Sequence, residues 1–483
     1  FLLRFIRRTL WVVPVRILGG CPGRPGAARP HHRRLLASGR EVGTLTQRSD
    51  PTSRPTTSRP RVLPDDTTPG EIGVQLVGDD ATGPRVRGTG RRHRDLDPAA
   101  STGALPAVAE RVHEALPWYS SVHRGAGWKS QLATAAYEEA RQAISAFAGR
   151  SGRDDVALIC RNTTEAINHL AYRLRLGPDD VVATTVVEHH ANLLPWSRAA
   201  RCRFVECGPD GTFTVDDVVA ALEAEPRLRL LAVTGASNVT GWVPPVDAIV
   251  TAAHERGVPV LVDGAQLAPH RPLPVEADFV AWSGHKMYAP FGTGVLIGPR
   301  AVFAEGDPFL AGGGAVDLVD LGEVVWTDPP EREEAGSPNV IGAVALHTAV
   351  DELERLGWAA VRAHDDHLAR ALHDGLSAID GVRLLGPSAA PGSLPVASFV
   401  VEGVPHSLVA ARLSAEHAIG VRHGCFCAHP YLLRLLDLPP DEVAAYRRGV
   451  LRGDRRVIPG AVRASAGIST SEEDVARLVA AVA

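Results

Sequence analysis

Lysine is the charged residue this chain almost lacks. Of its 51 basic side chains only Lys129 and Lys286 are lysines, and the other 49 are arginines. A guanidinium does not lose its proton in proteins, so chemistry that needs a free amine has two candidates. Methionine occurs once, at Met287, and the chain opens on Phe1; residue 1 is not expected to be a translation start. Cysteine is sparse too. Six thiols (Cys21, Cys160, Cys202, Cys207, Cys425, Cys427) spread over 483 residues exclude a dense secreted disulfide framework, and a cytoplasmic location is expected. Long apolar runs are missing: Arg4, Arg7, Arg8 and Arg16 interrupt FLLRFIRRTLWVVPVRILGG, leaving far fewer than the ~18 residues of a membrane helix and no clean signal core. No membrane association is expected. What remains, 45% hydrophobic and 22% charged, excludes collagen, mucin and a largely disordered chain, and is long enough for a core shared by two or three subdomains.

A large net charge is also absent, at -4, but its distribution is uneven. Residues 1–95 hold 18 arginines against 8 acidic residues, a net of +10, while the remainder carries -14. The tail is rich in Arg, Pro, Gly, Ser and Thr without a sustained period of 3.6 or 2, and is read as disordered. A basic arm could bind nucleic acid or an anionic surface, or the first 20 residues could be a targeting segment. The reading preferred is upstream sequence outside the enzyme, with no nucleic-acid partner.

From about residue 96 short β-branched runs alternate with helical patterns. Strands are predicted over 156–160, 181–187, 230–234, 258–262, 279–282 and 294–297, with helices over 164–175 and 246–256. This alternation argues for an α/β fold with a mostly parallel sheet covered on both faces. After about Gly342 one long amphipathic helix, further strands and a last helix suggest a smaller α+β domain.

In an open parallel sheet ligands bind beyond the carboxyl ends of the strands. After VALIC come Arg161, Asn162, Thr163, Thr164 and Glu165 at a helix start, either a phosphate cradle or a plain Thr N-cap with Glu behind it. Asp263 ends one run and Lys286 follows the next, 23 residues on. Pyridoxal phosphate asks for this pair: an amine to form an imine with its aldehyde, and a carboxylate to keep its pyridine nitrogen protonated. The bland alternative, a solvated surface lysine, suits Lys129 better than a lysine directly after a buried strand.

The ordered motifs LDPAAST, YSSVHRG, RNTTEAIN, EHHANLLPW, SNVTG, VDGAQ, SGHKMYAPFGTGVL, EAGSPN, RHGCFCAHP and RASAGIS resemble the class V aminotransferase-like pyridoxal-phosphate enzymes, and within them the cysteine desulfurase/selenocysteine lyase group. The resemblance implies a homodimer of PLP-dependent transferase fold type I, with a large PLP-binding domain over 119–345 and a small domain built from 96–118 and 346–483. It implies that Lys286 links to the cofactor, Asp263 pairs with its pyridinium nitrogen, Gln266 bonds its phenolic oxygen and His189 stacks on the ring. Thr163, Thr164, Ser283 and His285 would hold the phosphate, joined by Ser337 from the other subunit. Asn238 and Arg463 would meet the substrate, with Arg422 a second candidate for its carboxylate.

Desulfurases of this group use a small-domain cysteine that attacks the substrate's sulfur, leaving alanine and an enzyme persulfide for a sulfur-acceptor protein. Cys427 has that place, and a thiolate there would be favoured by Arg422, His423 or His429 nearby. Two rival readings stay open. Residues 423, 425, 427 and 429 alternate His, Cys, Cys, His and would share one strand face as a metal site, although ligand pairs usually have wider spacing. Otherwise Cys427 only packs, and the activity is that of an aminotransferase, epimerase or C–S lyase, or the fold is kept by a non-catalytic binding protein. Departures from the pattern are Phe426 before the cysteine, Pro98 in the first motif, and the 36-residue stretch from Cys427 to Arg463, which leave the cofactor secure and put the substrate in question.

Overall fold

The computed structural model describes residues 72–83, 90–454 and 458–483. The chain divides into two units, 1–61 and 62–483; the first, and with it the expectations for residues 1–71, lies outside the described residues. Within residues 72–95 the expectation of a disordered tail is corrected. Ile72 is buried in the main core, Arg94–Asp95 pairs in parallel with Ile419–Gly420, and Arg94 meets Asp474 at 3.0 Å. Contacts this distant in sequence leave no local period to read.

Seven strands form the main sheet: β1 (Asp155–Cys160), β2 (Val181–Thr185), β3 (Arg201–Val205), β4 (Leu228–Thr234), β5 (Val260–Asp263), β6 (Phe279–Ser283) and β7 (Gly294–Pro299). Their spatial order is β1-β7-β6-β5-β4-β2-β3, with every neighbour parallel except β7, which runs against both β1 and β6. Alternate residues feed opposite faces, as the pleat requires. Val156, Leu158, Leu230, Leu261, Phe279 and Leu296 pack in one cluster, whereas Ala157, Leu231, Val260, Val262, Trp282 and Ile297 pack in the other. Strands buried on both faces carry the near-continuous apolar runs that made them readable. Strand β3 escaped the sequence analysis because, as RCRFV at the edge, it is mostly exposed.

A second sheet holds β8 (Val382–Leu385), β9 (Val396–Val401), β10 (Arg422–Gly424) and β11 (Ala461–Ser465) in the antiparallel order β8-β9-β11-β10. Leu368, Leu372 and Leu376 of a covering helix pack on Phe399, Val462 and Ala464. The long helix expected after Gly342 is two, Val340–Leu356 and Trp358–Ser377. Gly357 between them has φ +81°, which a helix cannot contain and glycine adopts freely.

Two positions of the framework decide where chemistry can occur. Gly294 at the start of β7 is in register with Cys160 and with Ser283, so the ends of β1 and β6 lie level on either side of it. In the second sheet Arg422 is paired with Arg463, setting two guanidinium groups side by side.

Candidate functional site

Helix α1 (Thr163–Arg173) starts directly beyond β1, capped by Asn162, whose side chain accepts the Glu165 N–H. The cap is therefore Asn162 and not a threonine. Thr163 N–H donates to Ser283 Oγ at 2.8 Å and the two hydroxyls lie 2.6 Å apart. The Thr164 N–H is left free of protein partners among the described residues, and its side chain faces the cavity. With His285 lining the same cavity, a helix N-terminus, hydroxyls and an imidazole share one cavity, an arrangement that suits an anion.

Lys286 and Asp263 line the same cavity, of about 290 Å³. Lys286 Nζ donates to Gln266 Oε1 at 3.2 Å. Burial pulls its pKa down to about 8, with Arg463 adding to the fall and Asp263, Asp97 and Cys427 opposing it. Asp263 is buried, and burial raises its pKa; its Oδ1 accepts the Ala265 N–H at 3.0 Å, while Oδ2 has no hydrogen-bond partner among the described residues. His189 accepts the Ala191 N–H on Nδ1 at 3.0 Å, which leaves any ring proton on Nε2. Burial first, then the charges of Lys286, His190 and Arg463, lower its pKa to about 3, so the ring is neutral. Lys129, the other lysine, donates to Pro117 O at 2.8 Å and lies outside the cavity.

The opposite wall comes from the second sheet. Arg463, 2% exposed, donates through Nη1 to Asn238 O at 2.8 Å and through Nη2 to Asp97 Oδ1 at 2.8 Å. Its Nε is buried without a partner among the described residues, and Phe426 covers the guanidinium at 5.2 Å. Arg422 Nε contacts the other oxygen of Asp97 at 2.9 Å. Asp97 thus bridges both carboxylate-binding candidates, a role the sequence analysis missed although it quoted the motif that contains it. Asn238 lines the cavity as expected, yet its Nδ2 donates to Phe426 O at 2.8 Å, so part of its amide holds the cysteine loop.

Cys427 is exposed and also lines the cavity. Lys286 and Arg463 lie within electrostatic reach of it. The histidines expected beside it face elsewhere: His423 meets His406 at 3.2 Å and His429 stacks on His190. The proposed His-Cys-Cys-His strand face does not form. Strand β10 stops at Gly424, and positive φ at Gly424, Phe426 and Cys427 turns the chain out of the two-residue period. Ser337 is exposed and is absent from the cavity wall, so it is the one expected site residue this chain does not bring in.

The family model described as Aminotransferase class-V matches residues 95–478. The chain belongs to the class-V aminotransferase family. It is 36% identical over 364 residues, 73% of this chain and 87% of its relative, to a protein of Halalkalibacterium halodurans named probable cysteine desulfurase. Among solved structures it is similar to the apo cysteine desulfurase of Thermococcus onnurineus NA1, with TM-score 0.70 and 32% identity over 80% of this chain and 93% of that one. The cysteine desulfurase CsdA of Escherichia coli, in an S-sulfonic acid form, matches with TM-score 0.68 and 32% identity, covering 81% and 94%. The class-V enzymes depend on pyridoxal phosphate, and this chain is a pyridoxal-phosphate enzyme of fold type I. The residues fit the cofactor: the open Oδ2 of Asp263 faces the cavity that holds Lys286, and the free Thr164 N–H marks a place for its phosphate. No described helix is long and apolar enough to cross a membrane.

Proposed function

We propose that this chain is a cysteine desulfurase that converts L-cysteine to alanine and leaves the sulfur on Cys427. The observation that carries the reading is a single cavity walled by the amine of Lys286, the carboxylate of Asp263, the guanidinium of Arg463 and the thiol of Cys427. Pyridoxal phosphate, when bound, supplies an aldehyde for amine condensation and a ring that accepts electrons from the substrate's Cα. Asp263 would keep the pyridine nitrogen protonated, Gln266 would bond the phenolic oxygen, and neutral His189 would pack on the ring face. Thr163, Thr164, Ser283 and His285 would hold the phosphate.

Arg463 grips the substrate carboxylate, with Arg422 and Asn238 completing the pocket. Each Nη of Arg463 carries a second N–H beyond the one given to Asn238 O or Asp97, a donor for that grip. Lys286, with its pKa lowered to about 8, is free in part as the neutral amine near neutral pH and takes the Cα proton. The Cys427 thiolate then attacks the substrate sulfur. An S–S bond forms as the Cβ–S bond breaks, the bonding pair stays with carbon, and protonation there gives alanine. Cysteine plus enzyme thiol becomes alanine plus enzyme persulfide with no external oxidant. The exposure of Cys427 leaves the persulfide open to a sulfur-acceptor protein. A homodimer completes the phosphate site, since Ser337 is displayed on the surface rather than toward its own cavity.

Replacing Lys286 by Ala tests the reading. With a thiol reductant added to strip the persulfide, the pure wild type should absorb in the imine band and release sulfide and alanine in equal amounts from L-cysteine. K286A should lose the band and at least ~10²-fold in rate. A wild type that stays colourless with added pyridoxal phosphate would defeat the proposal.

A further inference from the structure

The turn that carries Cys427 is held from outside itself. Gly424, Phe426 and Cys427 have φ of 109°, 54° and 54°, and two successive side-chain-bearing residues in the left-handed region persist only where the surroundings enforce them. One bond within the turn helps, Ala428 N–H to Cys425 O at 2.9 Å. The two strained residues themselves are fixed from the main-sheet side, where Asn238 Nδ2 donates to Phe426 O at 2.8 Å and His190 N–H donates to Cys427 O at 2.7 Å.

A reciprocal bond returns to the same histidine. His429 begins the helix α2 (His429–Leu436), whose N-cap, Ala428, has no side-chain cap. An uncapped first turn leaves its N–H groups needing partners, and Pro430 at the second position has none to offer. The His429 N–H is satisfied by the ring of His190, on Nε2 at 3.2 Å. The two rings lie 5.1 Å apart and 5° from parallel, with His429 Nδ1 3.3 Å from the same Nε2. His190 therefore accepts on Nε2 and donates from its main chain, closing a clasp around Cys427-Ala428-His429.

We propose that His190 is a positioning residue that caps the Cys427 helix in trans and so holds the thiol in its attacking orientation. The proposal rests on the reading of Cys427 as the nucleophile. Nothing in it requires His190 to touch substrate or cofactor, and neither imidazole lines the cavity.

Two substitutions in the holoenzyme separate the acceptor from the ring. H190F keeps an aromatic ring to stack on His429 but has no acceptor, whereas H190Q keeps an acceptor at similar reach and removes the ring. With a thiol reductant present to turn over the persulfide, H190F is expected to lower kcat for alanine formation from L-cysteine by ~10- to 100-fold, the scale of a misplaced reacting group, with KM within about twofold and the cofactor band intact. Amide hydrogen exchange in the peptide 424–432 should quicken by roughly tenfold in H190F and by no more than about twofold in H190Q. H190Q should also recover kcat to within about threefold of the wild type. Equal losses in both variants, unchanged kcat and exchange in H190F, or disappearance of the cofactor band in both would overturn the proposal. Sulfide release that survives C427S would instead sink the nucleophile reading, while the exchange comparison would still report on the clasp.

Discussion

At the scale of single residues, the chemistry is decided by how the protein changes the character of ordinary side chains. Lys286 sits where water is displaced and where Arg463 adds positive charge, and these outweigh the acids around it, so its pKa falls to about 8. Only the neutral amine attacks an aldehyde. Capture of added pyridoxal phosphate by the cofactor-stripped protein should therefore speed up as pH rises through about 8 and level off above it. Stopped-flow absorbance would check this; a midpoint near 10.5, that of an ordinary lysine, would refute the account of its burial. His189, held neutral with a pKa of about 3, contributes no limb to that profile. Lys286 was legible in the sequence because it comes shortly after a buried strand in a chain that has almost no lysine to spare, whereas His189 was marked out only by the family resemblance. Asp97 was not, because its bridge from Arg463 to Arg422 joins segments more than 300 residues apart and leaves no local pattern. The clasp between His190 and His429 was hidden for the same reason.

At the scale of elements, the phosphate cradle depends on how closely β7 approaches the start of α1. A Cβ on Gly294 would come 2.7 Å from the Asn162 nitrogen, too near for backbone that cannot rotate away. The G294A variant should push the first turn of α1 outward, disturbing Asn162 and the free Thr164 N–H together. Its pyridoxal-phosphate Kd, measured by absorbance titration, should rise by ~10-fold or more, the effect of about 1.4 kcal/mol; an unchanged Kd would mean that the helix N-terminus does not bind the phosphate. The interior strands could be read from sequence because burial on both faces writes continuous apolar runs. The direction of β7 could not, since an antiparallel strand inside a buried sheet looks the same locally as a parallel one. The rival strand-face reading of the Cys427 turn arose because His, Cys, Cys and His recur every second residue, while the left-handed φ values that break the period fall on Phe426 and Cys427, side chains that do not announce them.

At the scale of the whole molecule, the cavity lies between two sheets, one contributing Lys286 and Asp263 and the other Arg463 and the cysteine loop. Segment 90–102 ties them together: Arg94 to Asp474, Asp97 to both arginines, and Thr102 to the carbonyl of His285 at 3.1 Å. A chain shortened to begin at residue 72 should keep its colour and melting temperature, whereas one beginning at residue 96 loses Ile72, the Arg94 pair and a strand pairing, and should melt roughly 5 °C lower. Thermal scans of the two would distinguish them, and equal melting points would show that residues 72–95 do not belong to the fold's core. This boundary was placed too late in the sequence because the arginine-rich composition continues past the point at which the chain begins to pack.

The measurement that bears most directly on the central claim is mass spectrometry of the Cys427 peptide after a single turnover with L-cysteine, run beside the C427S variant. The account predicts one added sulfur atom on Cys427 for each alanine formed, and no sulfur release from C427S although its cofactor band is unchanged. Alanine and sulfide produced by C427S at the wild-type rate, with no sulfur carried on residue 427, would contradict it.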